Sequence, residues 1–179
     1  MKRFSLYAAV LGTILLASPI EATRRARMDT PTLRIAGSVA AKYGVPAKLL
    51  KALCCQESSC GENPVPRRET SKAWARRAKK VASTPQEFEA LMHSYGATQL
   101  SGLYTFLEYG VQPHELLDDE TNLEIAAARL SNELKACRGS SYCAAARWNG
   151  GPGWQKASPK VKQKVKVYAA SVMRWQELV

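Results

Sequence analysis

Glu57 is the side chain with the most chemistry to offer. Leu50, Leu53, Cys54 and Glu57 stand at i, i+3, i+4 and i+7, so a helix opened by Pro46 carries this acid in line with its own apolar face. A carboxyl on a buried stripe must be paired, neutral or functional, because desolvation disfavours the ionised form and raises its pKa. That is the condition of a general acid working near neutral pH. The competing reading is a helix-terminal Glu turned to solvent, the helix ending at Ser58 or Ser59. Two further clusters put amides beside glycine-bearing corners. Ser94-Tyr95-Gly96-Ala97-Thr98-Gln99-Leu100 sets small residues before Gln99, whose amide both donates and accepts hydrogen bonds. Ala145-Ala146-Arg147-Trp148-Asn149-Gly150-Gly151-Pro152-Gly153 is a helix end running into a glycine-rich turn, with Trp148 and Asn149 at the corner. Taken singly, each is an ordinary loop cap.

Helices must position these residues, because one grammar repeats along the chain: Ser, Thr or Asp, then Pro or Glu, then apolar residues at helical spacing, then Gly. Thr30-Pro31 opens a helix stopped by Gly44, and Pro46 opens the next, reaching about Glu57. Residues 70–81 form a short basic helix around Trp74. Thr84-Pro85-Gln86-Glu87 has capping-box spacing and starts another helix. Helices over 101–109, 119–137, 142–148 and 159–178 complete the set. Alternating strand patterns are nearly absent, so the expected fold is mainly α, about seven to eight helices with little or no β structure.

An apolar fraction of 46% and a charged fraction of 23% exclude a disordered or collagen-like chain, and 179 residues suit one domain. Basic residues outnumber acidic ones 26 to 15, a net charge of +11 that calls for an anionic partner. Arg67, Arg68, Lys72, Arg76, Arg77, Lys79 and Lys80 crowd one stretch against a single acid, Glu69. The segment 67–80 is either a solvated helix face or an adhesive surface for an anionic wall or membrane. At the N-terminus, Lys2 and Arg3 precede an apolar run from Leu6 to Ala17, too short for a bilayer core of ~30 Å, and Ala22 closes a small-residue cleavage site. Residues 1–22 therefore read as a signal peptide and 23–179 as the functional domain, exported and periplasmic or secreted. Export demotes nucleic acid as a partner.

An oxidising compartment makes the five cysteines candidates for disulfides. Cys137 and Cys143 flank a turn-like segment between two helical patterns and would staple that corner. Cys60 pairs with Cys54 or with Cys55. The pairing carried forward is Cys55 with Cys60, with Cys54 as the open alternative. No metal or other cofactor is expected, since no Cys-x-x-Cys pair occurs and His93 and His114 are isolated.

Three segments in order carry a resemblance: Glu57-Ser58 after an amphipathic helix, Gly96-Ala97-Thr98-Gln99, and Ala146-Arg147-Trp148-Asn149-Gly150-Gly151-Pro152-Gly153. They resemble the signatures of the lytic transglycosylase catalytic domain of the soluble type, a relative of goose-type lysozyme. The connectors Tyr43-Gly44-Val45-Pro46 and Leu116 to Leu123 are similar too, and the likeness spans about residues 33–175. Two departures stand out. Ala97-Thr98 replaces the family's usual Leu-Met, and Trp148-Asn149 replaces its Tyr-Asn, at the cost of a phenol. The stretch from Glu57 to Gly96 is also longer than the common form.

The resemblance implies a lysozyme-like fold and cleavage of the β-1,4 bond between N-acetylmuramic acid and N-acetylglucosamine in peptidoglycan. Glu57 would be the catalytic acid, with Ser58, Gln99, Trp148 and Asn149 binding the sugar and Tyr95 and Trp154 as stacking platforms. The partner would be the peptidoglycan strand, met by a monomer. Two alternatives stay open. A muramidase would hydrolyse the same bond and needs a second carboxylate to activate water; Asp118, Asp119 and Glu120 cluster, but at what reads as a helix N-terminus, where acids are ordinarily caps. A non-catalytic cell-wall-binding assembly factor would need no acid on an apolar stripe.

Overall fold

The computed structural model describes residues 29–179. The signal peptide read over residues 1–22 lies outside them. The described residues form eight α-helices, two short 3-10 turns and a small sheet. Thr30 accepts a hydrogen bond from Leu33 N, and Pro31 starts α1 (Pro31–Lys42). After Gly44, α2 (Ala47–Ser58) buries Leu49, Leu50, Leu53, Cys54 and Cys55 and ends where Ser59 turns left-handed. The basic helix α3 (Lys72–Val81) is capped by Ser71, and α4 (Pro85–Leu91) by Thr84, which accepts from Glu87 N at 3.1 Å. Next come α5 (Gly102–Tyr109), α6 (Asp119–Ala136), α7 (Ser141–Gly150) and α8 (Pro159–Leu178).

Helix α2 packs against α1 and α8, α7 lies on α8, and α6 covers α1 and α7. Their apolar stripes merge in one large core that includes Leu49, Leu53, Leu123, Leu130, Val165 and Val172. A second, smaller cluster joins Ala78 of α3, Leu91 and Met92 of α4 and its cap, and Leu103 of α5, with Trp74, Phe88 and Phe106 packed on it.

A three-stranded antiparallel sheet comprises β1 (Arg67–Arg68), β2 (His93–Tyr95) and β3 (Leu100–Ser101), in that order, with Leu100 in the larger core. Arg67 pairs with Ser94, and Ser94 with Ser101. Strands of two or three residues are too short for period-2 alternation to show, which is why they escape a pattern search. They also place Arg67 and Arg68, the first two cations of the basic stretch 67–80, on a strand ahead of the basic helix. Both expected disulfides are present, Cys137–Cys143 at the α6–α7 corner and Cys55–Cys60 across the end of α2, and Cys54 is a buried free thiol.

Candidate active site

Glu57 occupies the last turn of α2, half-buried, and two α8 residues one helical turn apart fix this end of the helix. The Tyr168 hydroxyl lies 2.5 Å from Glu57 Oε1, and Ser171 Oγ lies 2.6 Å from Gln56 Oε1. Arg67, on β1, donates to the Glu57 backbone carbonyl at 2.6 Å, satisfying an acceptor left over at the helix C-terminus. Burial pushes the Glu57 carboxyl above the ordinary carboxylate value. The Tyr168 hydroxyl, the Arg67 charge, the Trp148 indole and Arg129 pull the other way without cancelling it. Burial, then the neighbouring Glu57 charge, also raises the Tyr168 phenol well above its usual value, so it stays a donor.

The Gly96–Gln99 turn forms a second corner. Gly96 has φ +72°, and a Cβ there would meet the Leu116 carbonyl and Asn122 Nδ2 at 2.3 Å, so only glycine fits. Fully buried Asn122 of α6 holds the turn from within. Its Oδ1 accepts from Thr98 N (3.0 Å) and Thr98 Oγ1 (2.7 Å), and its Nδ2 donates to Tyr95 O (2.9 Å) and Leu116 O (3.1 Å). Gln99, itself at φ +49°, donates through Nε2 to Gly96 O (3.1 Å) and Val65 O (3.3 Å), while its Oε1 is buried without a partner.

The third corner is the end of α7. Arg129 of α6 stacks between Tyr104 and Trp148, 5.0 and 4.2 Å from the ring centroids, and donates to the Trp148 carbonyl at 2.8 Å. Arg147 is spent on an ion pair with Glu133.

The three corners meet at one cleft of about 560 Å³. Glu57, Gln99, Trp148 and Asn149 all line it. So do Glu69, Trp74 and Arg77 of the basic stretch 67–80, and Tyr104 and Arg129, which the sequence reading had not singled out. Three expected contacts fall elsewhere. Ser58 is 1% exposed and lies beneath the floor, where its hydroxyl contacts Ala97 O at 2.6 Å and Cys54 O at 3.0 Å and accepts from Gly61 N, so it ties the acid's helix to the Gln99 turn. Tyr95 turns its hydroxyl to Ala90 O at 2.8 Å. Trp154 is buried in the main core.

The acids read as candidate water activators are also occupied elsewhere. Asp118 caps Thr121 N at 2.8 Å, Asp119 lies 2.5 Å from Thr32 Oγ1, and exposed Glu120 does not line the cleft. The second acid of the cleft is Glu69, which accepts from Ser94 Oγ at 2.9 Å.

Two of the missed residues left a trace in the sequence. Tyr168 puts a phenol on the apolar stripe of α8, and a buried hydroxyl needs a partner. Arg129 interrupts the apolar run Ile125 to Leu130, and a cation there needs a reason. Residues 34–169 match a family model described as "Transglycosylase SLT domain". Comparison with curated proteins and with solved structures finds no match.

Proposed function

Since the chain belongs to the transglycosylase SLT domain family, whose activity is the lytic cleavage of peptidoglycan, we propose that Glu57 serves as both acid and base in a non-hydrolytic reaction. Protonated Glu57 gives its proton to the glycosidic oxygen as the C1–O bond breaks. The substrate's 2-acetamido carbonyl oxygen stabilises the positive charge growing at C1. Glu57, now ionised, removes the proton from the muramyl O6 hydroxyl as that oxygen bonds to C1, closing a 1,6-anhydro ring and restoring the acid. No water is consumed and no carboxylate nucleophile is needed.

The observation that carries this reading is one half-buried carboxyl, raised by its surroundings, hydrogen-bonded on one oxygen by Tyr168 and facing the same cleft as Gln99, Trp148 and Asn149. The Gln99 and Asn149 amides are the groups to hold the sugar, and Trp148 offers an aromatic edge. The two disulfides support export to an oxidising compartment; the charged and apolar N-terminal segment supports processing after Ala22, which N-terminal sequencing of the secreted form checks.

Digestion of purified sacculi followed by mass spectrometry tests the chemistry. Anhydromuramyl ends are expected from the wild type, and none from Glu57→Gln, which should still bind the wall. A second reading, hydrolysis, is favoured by Glu69 alone, because an inverting muramidase needs a second carboxylate about 6.5–9.5 Å from the acid to activate water. Reducing muramyl ends, lost in Glu69→Gln, would establish it. Binding without any cleavage by the wild type would establish the wall-binding factor.

A further inference from the structure

The segment between Glu57 and Gly96 does not only cover the surface. Trp74 and Arg77 stand at i and i+3 on α3, so both turn to one side, and that side is the cleft. Lys72, Arg76, Lys79 and Lys80 stay exposed outside it. Trp74 is anchored by packing on the smaller apolar cluster, while Arg77 is exposed.

Arg77 joins two other cleft guanidiniums, Arg67 and Arg129. Among the described residues none of the three has a carboxylate within ion-pairing distance. Arg67 and Arg129 each donate to a backbone carbonyl, whereas the Arg77 side chain donates to no group among the described residues. Glu57 and Glu69 are the two cleft carboxylates to set against these three guanidiniums, which leaves the lining with an excess of positive charge. A polysaccharide of N-acetylated sugars alone has no charge to meet them. The negative charge of peptidoglycan sits on the 3-O-lactyl substituent of the muramyl residue, as a free carboxylate or as the carboxylates of its peptide stem. A guanidinium fork fits a carboxylate better than a lysine ammonium does.

We infer that Trp74 and Arg77, with Arg67, form a subsite that takes the carboxylate-bearing 3-O substituent of the muramyl residue, Trp74 lying against the sugar or stem and Arg77 pairing the carboxylate. The inference rests on the reading of the cleft as a peptidoglycan site. It makes α3 a selectivity element for anionic over neutral glycans.

The test uses the full chain carrying Glu57→Gln, so that ligands are not consumed, and measures Kd by calorimetry for three probes. These are a stem-bearing muroglycan oligomer, the same oligomer stripped to its lactyl carboxylates, and neutral chitohexaose. Adding Arg77→Ala should weaken stem-bearing glycan about tenfold, Arg77→Glu more, and Arg77→Lys less than Ala. Chitohexaose affinity should hold, which also reports that the variants fold. The loss should shrink as salt is raised. Loss on both charged probes assigns the lactyl group, and loss on the stem-bearing probe alone assigns the stem. No loss on either, or an equal loss on chitohexaose, overturns the inference. Failure of the parent protein to bind any of the three removes the peptidoglycan reading of the cleft and this subsite with it.

Discussion

Asn122 makes no contact with the cleft, yet the Gln99 corner depends on it. Its amide makes four hydrogen bonds at 2.7 to 3.1 Å, two accepted from Thr98 and two donated to the Tyr95 and Leu116 carbonyls. At a net value of about 0.5–1.5 kcal/mol each, Asn122→Ala should cost about 2–6 kcal/mol. That is a large share of a total near ~5–15 kcal/mol. Asn122→Asp is the more telling change, because it keeps the shape and both acceptor contacts but puts an oxygen where Nδ2 faced two carbonyls. The introduced carboxyl is then buried against like partial charges, which raises its pKa in the folded state. Its stability is therefore intact below the ordinary Asp value of about 3.9 and lost as pH rises through the folded value.

Denaturant melts from pH 4 to 8 should show Asn122→Asp strongly destabilised at neutral pH and recovering on acidification, beside a steady deficit for Asn122→Ala. Lysis should fall in both variants at temperatures where they remain folded, since Gln99 loses its turn. An Asn122→Asp protein melting with the wild type at pH 7 would refute the reasoning.

Three other outcomes follow from the same geometry. Tyr168→Phe removes the donor on Glu57 Oε1, the strongest influence stabilising its ionised form. The alkaline limb of the pH–lysis profile should move to higher pH, and a downward shift would count against the contact. Because burial raises Glu57 in the folded state, its contribution to stability is present below the unfolded value and lost as pH rises through the folded one. Glu57→Gln should thus melt higher than the wild type at pH 8, with the gap closing toward pH 4 in calorimetric scans. Replacing Cys137 and Cys143 together by Ala opens a short loop and should cost about 2 kcal/mol in denaturant melts, with wall lysis retained.

Much of the scaffold is written locally. Thr30-Pro31, Thr84 with Glu87, and Gly110 mark helix ends by their own cap chemistry, and the spacing of Cys137 and Cys143 spells out a corner. Glu57 is legible because an acid in register with Leu50 and Leu53 contradicts its surroundings. What supports Glu57 is not local. Tyr168 lies 111 residues away and reads as one more apolar contact of α8 until the packing of α2 on α8 brings its hydroxyl to the acid. Ser58 misleads in the opposite direction: beside the acid in sequence, it turns inward, because successive residues on a helix point about a quarter-turn apart. The basic run 67–80 reads as one feature by charge, but the sheet and α3 divide it, sending Arg67 and Arg77 into the cleft and leaving Lys79 and Lys80 outside.

The smaller apolar cluster shares no buried residue with the larger one, and the groove lies where they meet. One bank of the groove thus draws its solidity from Leu91, Met92 and Leu103, and the other from the packing of α2 on α8. Heritable variation on the α3 bank can retune what the groove admits while the proton-transfer apparatus on the opposite bank keeps its own foundations. Selectivity and reactivity are stored in different parts of the molecule and are free to drift at different rates.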